Sequence, residues 1–179
     1  MRIRGIFWLA VMTGGAALAA DPHAEMKDCP MHKEHTASQE HFAGVTERGN
    51  EVMGFAHDKS GHHFGLTPQG GFILAEATDP NDTTTRNAIR DHFHHIAHAF
   101  AAGDFAMPNL IHAKSPPGVG TMKKLKGSID YRVEQTGRGG RIVISTGNPR
   151  ALKAIHHFLR FQIEDHRTGD SLEVAAAGS

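Results

Sequence analysis

The chain repeats itself, and an internal repeat limits the architectures open to it more than any single motif does. Thr67-Pro68-Gln69-Gly70-Gly71-Phe72-Ile73 is matched by Thr136-Gly137-Arg138-Gly139-Gly140-Arg141-Ile142 at an offset of 69, which Pro80 and Pro149 share. Ala88-Ile89 with Ala154-Ile155, and Gly103-Asp104 with Gly169-Asp170, follow at an offset of 66. A three-residue insertion in the first copy, within Asn81 to Thr85, accounts for the change. Each copy reads as strand, glycine turn, strand, helix. Gly70-Gly71 and Gly139-Gly140 are expected to supply the positive φ angles of tight hairpins. The expected strands are His62–Leu66 with Phe72–Ala77, and Ile129–Gln135 with Arg141–Thr146; Val, Ile and aromatic residues suit them to a sheet.

The helices carry their own start signals. Asn148-Pro149 offers an Asn cap and a Pro at the first helical position, and Asp79-Pro80 or Asp82-Thr83 does the same in the first copy. Ile89, Phe93, Ile96 and Phe100 fall on one stripe at helical periodicity, as do Leu152, Ile155, Leu159 and Ile163. The fold class that follows is α+β: a duplicated ββα-ββα two-layer sandwich, with a four-stranded, mostly antiparallel sheet and two helices on one face. Its copies span 61–105 and 128–170. Met107 to Lys126 joins them as loop, with one helical turn at Thr121 to Leu125, and 171–179 is a disordered tail.

The N-terminus reads as an export signal over residues 1–20. Arg2 and Arg4 precede the apolar stretch Ile6 to Leu18, and Ala17-Leu18-Ala19 or Leu18-Ala19-Ala20 is a small-x-small cleavage site. The stretch is short for a span, which needs about 20 apolar residues. The expected location is periplasmic or secreted, with no membrane attachment after cleavage. Residues 21–60 then read as a flexible arm bearing His, Met and Cys, poor in branched apolar side chains over 21–44, with one short helix around Glu51 to Ala56.

Composition enters through what the mature chain, near 159 residues, must manage without. Its 17 basic against 19 acidic residues leave no basic face for nucleic acid. One cysteine precludes an internal disulfide, so packing alone must hold the fold. The excess is histidine: 15 in all, every one after the signal. Neutral imidazole is the commonest metal ligand.

The densest donor set is Met26, Cys29, Met31, His32 and His35, five donors within ten residues. Thiolate and thioether select copper(I) or silver, and imidazole extends the range to copper(II) and zinc. A second set lies on the first helix, where His94 and His98 are spaced i, i+4, His95 and His98 i, i+3, and Asp91 stands one turn earlier. This face lies opposite the apolar stripe. His62 and His63 must point to opposite faces of their strand. His62, His63, His112, His156, His157 and His166 read mainly as satisfied structural histidines. Phe158 and Phe161 fall off the helix stripe and suggest a second buried surface, such as a homodimer contact. The chain has no Gly-x-Ser-x-Gly, no P-loop and no dinucleotide fingerprint, and the zinc-protease His-Glu-x-x-His pattern lacks its Glu.

Cys29-Pro30-Met31-His32 resembles the short heavy-metal-binding motif of copper and silver efflux adaptors. That motif usually continues with Pro, often with an aromatic two residues before the Cys; Lys33 and Lys27 stand there in this chain. The resemblance covers about four residues and implies metal binding rather than efflux. Residues 53–170 resemble a group of small exported His-rich bacterial proteins of unassigned function. The segments that carry this are Gly61-His62-His63-Phe64, Ala102-Gly103-Asp104-Phe105, Pro117-Gly118-Val119 and Ile155 to Asp170. It implies one domain and no particular activity.

The expected function is periplasmic binding of copper, or of zinc or silver, for sequestration or delivery rather than catalysis. Cys29, Met31 and His32 would be primary ligands, Met26 and His35 would assist, and the helical histidines would form a second site. Two alternatives stand beside it. One is a metal- or haem-dependent redox protein using His62, His63 or His112, without covalent haem because Cys-x-x-Cys-His is absent. The other is a cofactor-free interaction module whose histidines sense pH near 6.5.

Overall fold

The computed structural model describes residues 30–176. The expected export signal, and Met26 and Cys29, lie outside them. The chain divides into two units at Ala37–Ser38. In the first, residues 30–37 are helical and open α1, Pro30–Met53. The second unit, from Ser38 on, holds everything described below.

The sheet follows from the hairpin chemistry. β1 (Ser60–Thr67) turns through Pro68-Gln69 into β2 (Gly70–Ala77), and β3 (Asp130–Gln135) pairs with β4 (Gly139–Ser145). The strand order is β1-β2-β4-β3, antiparallel at every step. The glycines act differently from expectation. Of the four turn glycines only Gly70 has positive φ (151°). Gly139 is needed because β4 lies against β2, where a Cβ would stand 2.1 Å from the Ala75 carbonyl oxygen. The requirement is close strand approach rather than turn conformation.

α2 (Thr83–Ala102) is capped by Asp82, whose carboxylate accepts from Thr85 N (2.9 Å) and the Thr85 hydroxyl (2.7 Å). Its predicted stripe is the buried one. α5 (Pro149–His166) is capped by Asn148 with Pro149 at its start. α2 packs against β2, β3 and β4, and α5 against β1, β2 and α4 (Val119–Lys124). Phe158, expected outside the core, is 1% exposed within it. It therefore offers no homodimer surface: the buried arc of α5 also takes in Ala151, Ala154 and Gln162, wider than the four-residue stripe. Phe161 is half-buried against His112, rings 5.0 Å apart.

Three segments differ from the sequence reading. α1 runs for 24 residues where a flexible arm with a short helix is expected. Val45, Gly49 and Met53 repeat every four residues and are buried, and Phe55 beyond the helix joins the core. α3 (Ala106–His112) forms inside the expected loop, because Pro108 lies in its first turn, where its missing N–H is no loss. The tail is pinned: Val174 bridges Leu66 in parallel, and Ala175 N donates to Leu66 O at 2.9 Å, covering the edge of β1. Among the described residues no helix is long and apolar enough to cross a membrane.

Candidate functional site

Alternation along β1 decides where the tandem histidines go. Phe64 and Leu66 face the core, so His62 faces it too, and His63 faces the other side. His63 donates from Nδ1 to Asp170 Oδ1 at 3.0 Å, and Asp170 Oδ2 also accepts from Phe64 N. His62 enters an interior cluster built from five elements. His57 comes from the short 3-10 turn after α1, His92 from α2, His112 from the end of α3, and His166 is the last residue of α5.

The rings lie in near-parallel register. His57 and His62 are 5.5 Å apart at 21°, His62 and His166 6.0 Å at 13°, and His57 and His166 6.4 Å at 9°. His112 meets His166 edge-on at 5.0 Å. Phe55 stacks on His62 at 6.0 Å and meets His92 edge-on at 5.7 Å, and Phe64 lies 5.6 Å from His166. Beside the cluster is a cavity of about 70 Å³ whose walls include Met53, His62, His92, His112, His166 and Gln162. That is room for an ion with several small ligands, since one water needs only about 10–15 Å³ of such volume.

Two kinds of histidine share this interior. His112, only 2% exposed, is fully engaged: Asp165 Oδ2 accepts from its Nδ1 at 2.6 Å, and the Gln162 amide pairs with Nε2 at 3.0 Å. Asp165 also accepts from His41 Nε2 at 2.9 Å, with Lys114 3.6 Å away. Burial pushes the Asp165 carboxyl up, but the hydrogen bonds from His112 and His41 outweigh it and hold it below the usual range. By contrast, Nδ1 of His62 and Nδ1 of His166 are buried and make no hydrogen bond. Such an orphan costs about 1–3 kcal/mol; Gln162 Nε2 in the same wall and the Tyr131 hydroxyl are among the other buried atoms without a partner.

Burial also decides the charge of these rings. It lowers the pKa of His62 to about 4, helped by the nearby His57, His92 and His63. It lowers His166 to about 3, helped by His112, His62 and His57 against Asp165, and His92 to about 4, helped by His95. His112 is lowered as well, chiefly by burial. At neutral pH the wall presents uncharged imidazoles, the protonation state that binds metal.

The residues singled out from sequence fare differently. Met31, His32 and His35 lie in the first turns of α1, and their side chains are outside what is described. Asp91, His94, His95 and His98 are all exposed on α2. Asp91 and His95 line a groove with His92 and Met53, while His94 and His98 do not. Among the described residues no three His, Cys, Asp or Glu side chains already stand in ion-holding geometry, and the imidazoles of the cluster face one another instead of converging. His156, expected to be satisfied, pairs from Nε2 with Thr67 O at 2.9 Å.

The interior set was legible through the repeat itself. The offset of 69 pairs His62 with Tyr131, and the offset of 66 pairs His92 with Phe158 and His166 with Phe100. Tyr131, Phe100 and Phe158 form an aromatic cluster, with Phe100 5.8 Å from Tyr131 and 5.9 Å from Phe158. At three positions related by these sequence offsets, Tyr131, Phe158 and Phe100 stand against His62, His92 and His166, and the Tyr131 hydroxyl is itself buried without a partner. Comparison with protein-family models, with curated proteins and with solved structures found no match.

Proposed function

We propose that this is an exported, periplasmic metal-binding protein that holds copper(I) or silver(I) for sequestration or delivery, and that the site of its folded body is formed by His62, His166 and His57. The observation that carries the reading is the pair of buried, unpartnered Nδ1 atoms on His62 and His166 beside an interior cavity. Rotation of the rings about their side-chain torsions would be needed to turn facing imidazoles into converging ones; His62 and His166 line the cavity, and His57 stacks on both beside it. Ion choice follows from charge. The donors are neutral and the walls largely apolar, and desolvating a divalent ion there costs far more than desolvating a monovalent one. Zinc also wants four ligands, whereas monovalent d¹⁰ ions accept fewer.

Met26, Cys29, Met31, His32 and His35 are a second donor set in this reading, soft enough for the same ions. Asp165 would orient the cluster from behind through His112, as outer partners of metal-binding histidines do. We also read the body as a duplicated ββα unit with both helices on one face of the sheet. The two offsets support that, as does the pairing at 69 of Met53 with Met122 and of the 3-10 turn 57–59 with 126–128.

Anaerobic titration of the protein with copper(I) against a chromogenic chelator tests the site. The variant Cys29→Ser/Met31→Ala should still take up copper(I) in its folded body. Adding His62→Ala and His166→Ala should remove that uptake. Undiminished uptake after all four changes would take the site away from the cluster.

A further inference from the structure

The cavity beside the cluster is partly open, and a groove adjoins it. The groove, about 410 Å³, lies between the end of α1, α2 and α3, and its walls include Met53, Asp91, His92, His95 and Met107. Met53 and His92 line both the groove and the cavity. Two other surface clefts, at Gly61–Arg138 and at Gly118–His157, share no lining residue with the cavity.

The donors in the groove are graded with depth. Asp91 and His95 are exposed at its rim, His92 is half-buried, and Met53 is 7% exposed. A carboxylate and an imidazole at the mouth attract a cation and exchange with its water. A deeper imidazole flanked by thioethers then holds a soft ion as it sheds the last of that water. Away from the groove, Asp165, Gln162 and Phe161 engage His112.

Resting on the metal-binding reading above, we propose that this groove is the loading port of the interior site: Asp91 and His95 receive the ion, and His92 passes it to His62 and His166. Asp91 and His95 act on the rate of loading and are not ligands of the stored ion.

Stopped-flow transfer from the copper(I)–bicinchoninate complex to the full chain carrying Cys29→Ser/Met31→Ala tests this. Asp91→Asn/His95→Ala lies on an exposed helix face and should leave the fold intact. Loading should slow about tenfold, the size of effect expected from loss of cation steering, with the equilibrium affinity unchanged. His94→Ala/His98→Ala, on the same helix but outside the groove, should load at the parent rate. An Asp91→Asn/His95→Ala protein that loads as fast as its parent would overturn the port and leave the storage site standing. So would a matching slowdown in His94→Ala/His98→Ala. A loss of affinity equal to the loss of rate would make Asp91 and His95 ligands and also overturn it. A parent that takes up no copper at all would instead refute the metal-binding reading.

Discussion

At one end of the core the protein puts Tyr131, Phe100 and Phe158; at the positions related to them by the repeat offsets it puts His62, His166 and His92. The spacing is much alike: 5.8 Å between Tyr131 and Phe100, 6.0 Å between His62 and His166. The aromatic set contributes dispersion and burial, and it too carries one buried, unpartnered group, the Tyr131 hydroxyl, whose pKa burial raises. The imidazole set fills similar space at a cost in stability, with two buried nitrogens unpartnered and its charge suppressed. In the proposed reading the imidazoles at these places serve an ion rather than the core.

Acid should separate the two sets most strongly. His62, His92 and His166 have native pKa values below the ordinary 6.5, so the unfolded chain takes up protons first. Stability is complete above pH 6.5 and falls as pH drops toward 4 for His62 and His92, and toward 3 for His166. The depressed carboxylates Asp165, Asp170, Glu76 and Glu134 act in the same direction, but only from near pH 4.5 downward. Guanidinium unfolding of the metal-free protein should therefore lose about 2 kcal/mol per buried ring between about pH 7.5 and pH 5. Flat stability across that interval would mean that the rings are not buried neutral.

A core ring away from the cavity should respond to volume alone. Phe105, fully buried and 4.4 Å from Phe100, is not part of the cavity wall. Phe105→Ala should destabilise by about 3–5 kcal/mol without changing copper(I) affinity, as read by denaturation and chelator competition on the same sample. A smaller loss is expected from Asp165→Asn, which weakens the acceptor shared by His112 and His41. It should cost about 1–3 kcal/mol and lower copper(I) affinity, because His112 no longer braces His166. The smallest effect belongs to His156→Ala. Its ring makes one bond to the Thr67 carbonyl, so about 1 kcal/mol should be lost and metal binding left alone. Any change in copper affinity there would blur the distinction between structural and binding histidines.

Sequence periodicity disclosed the sheet and its two long helices because each is written in a strong local code: paired glycines, capped starts, and stripes such as Ile89/Phe93/Ile96/Phe100. α1 was harder to see, since its buried face is spelled with Val45, Gly49 and Met53, a pattern too sparse to separate from a polar arm. The site was obscured for a different reason. Exposed Asp91, His94, His95 and His98 advertise chelating spacing along one helix, whereas His57, His62, His112 and His166 meet only through tertiary packing of separate elements. Their partner-free nitrogens are a property of the folded interior. Only the repeat carried a trace of them, in the replacement of Tyr131, Phe158 and Phe100 by imidazoles.

The most direct measurement converts one set into the other. His62→Phe/His166→Phe, in the chain already carrying Cys29→Ser/Met31→Ala, puts carbon rings at both orphan positions. The metal-free variant should melt at the same temperature as its parent or higher, because two unsatisfied buried groups are gone, and it should take up no copper(I) in its folded body. A variant that still binds copper(I) with the affinity of its parent, or that fails to fold without the two imidazoles, would contradict the claim that these histidines are there for an ion.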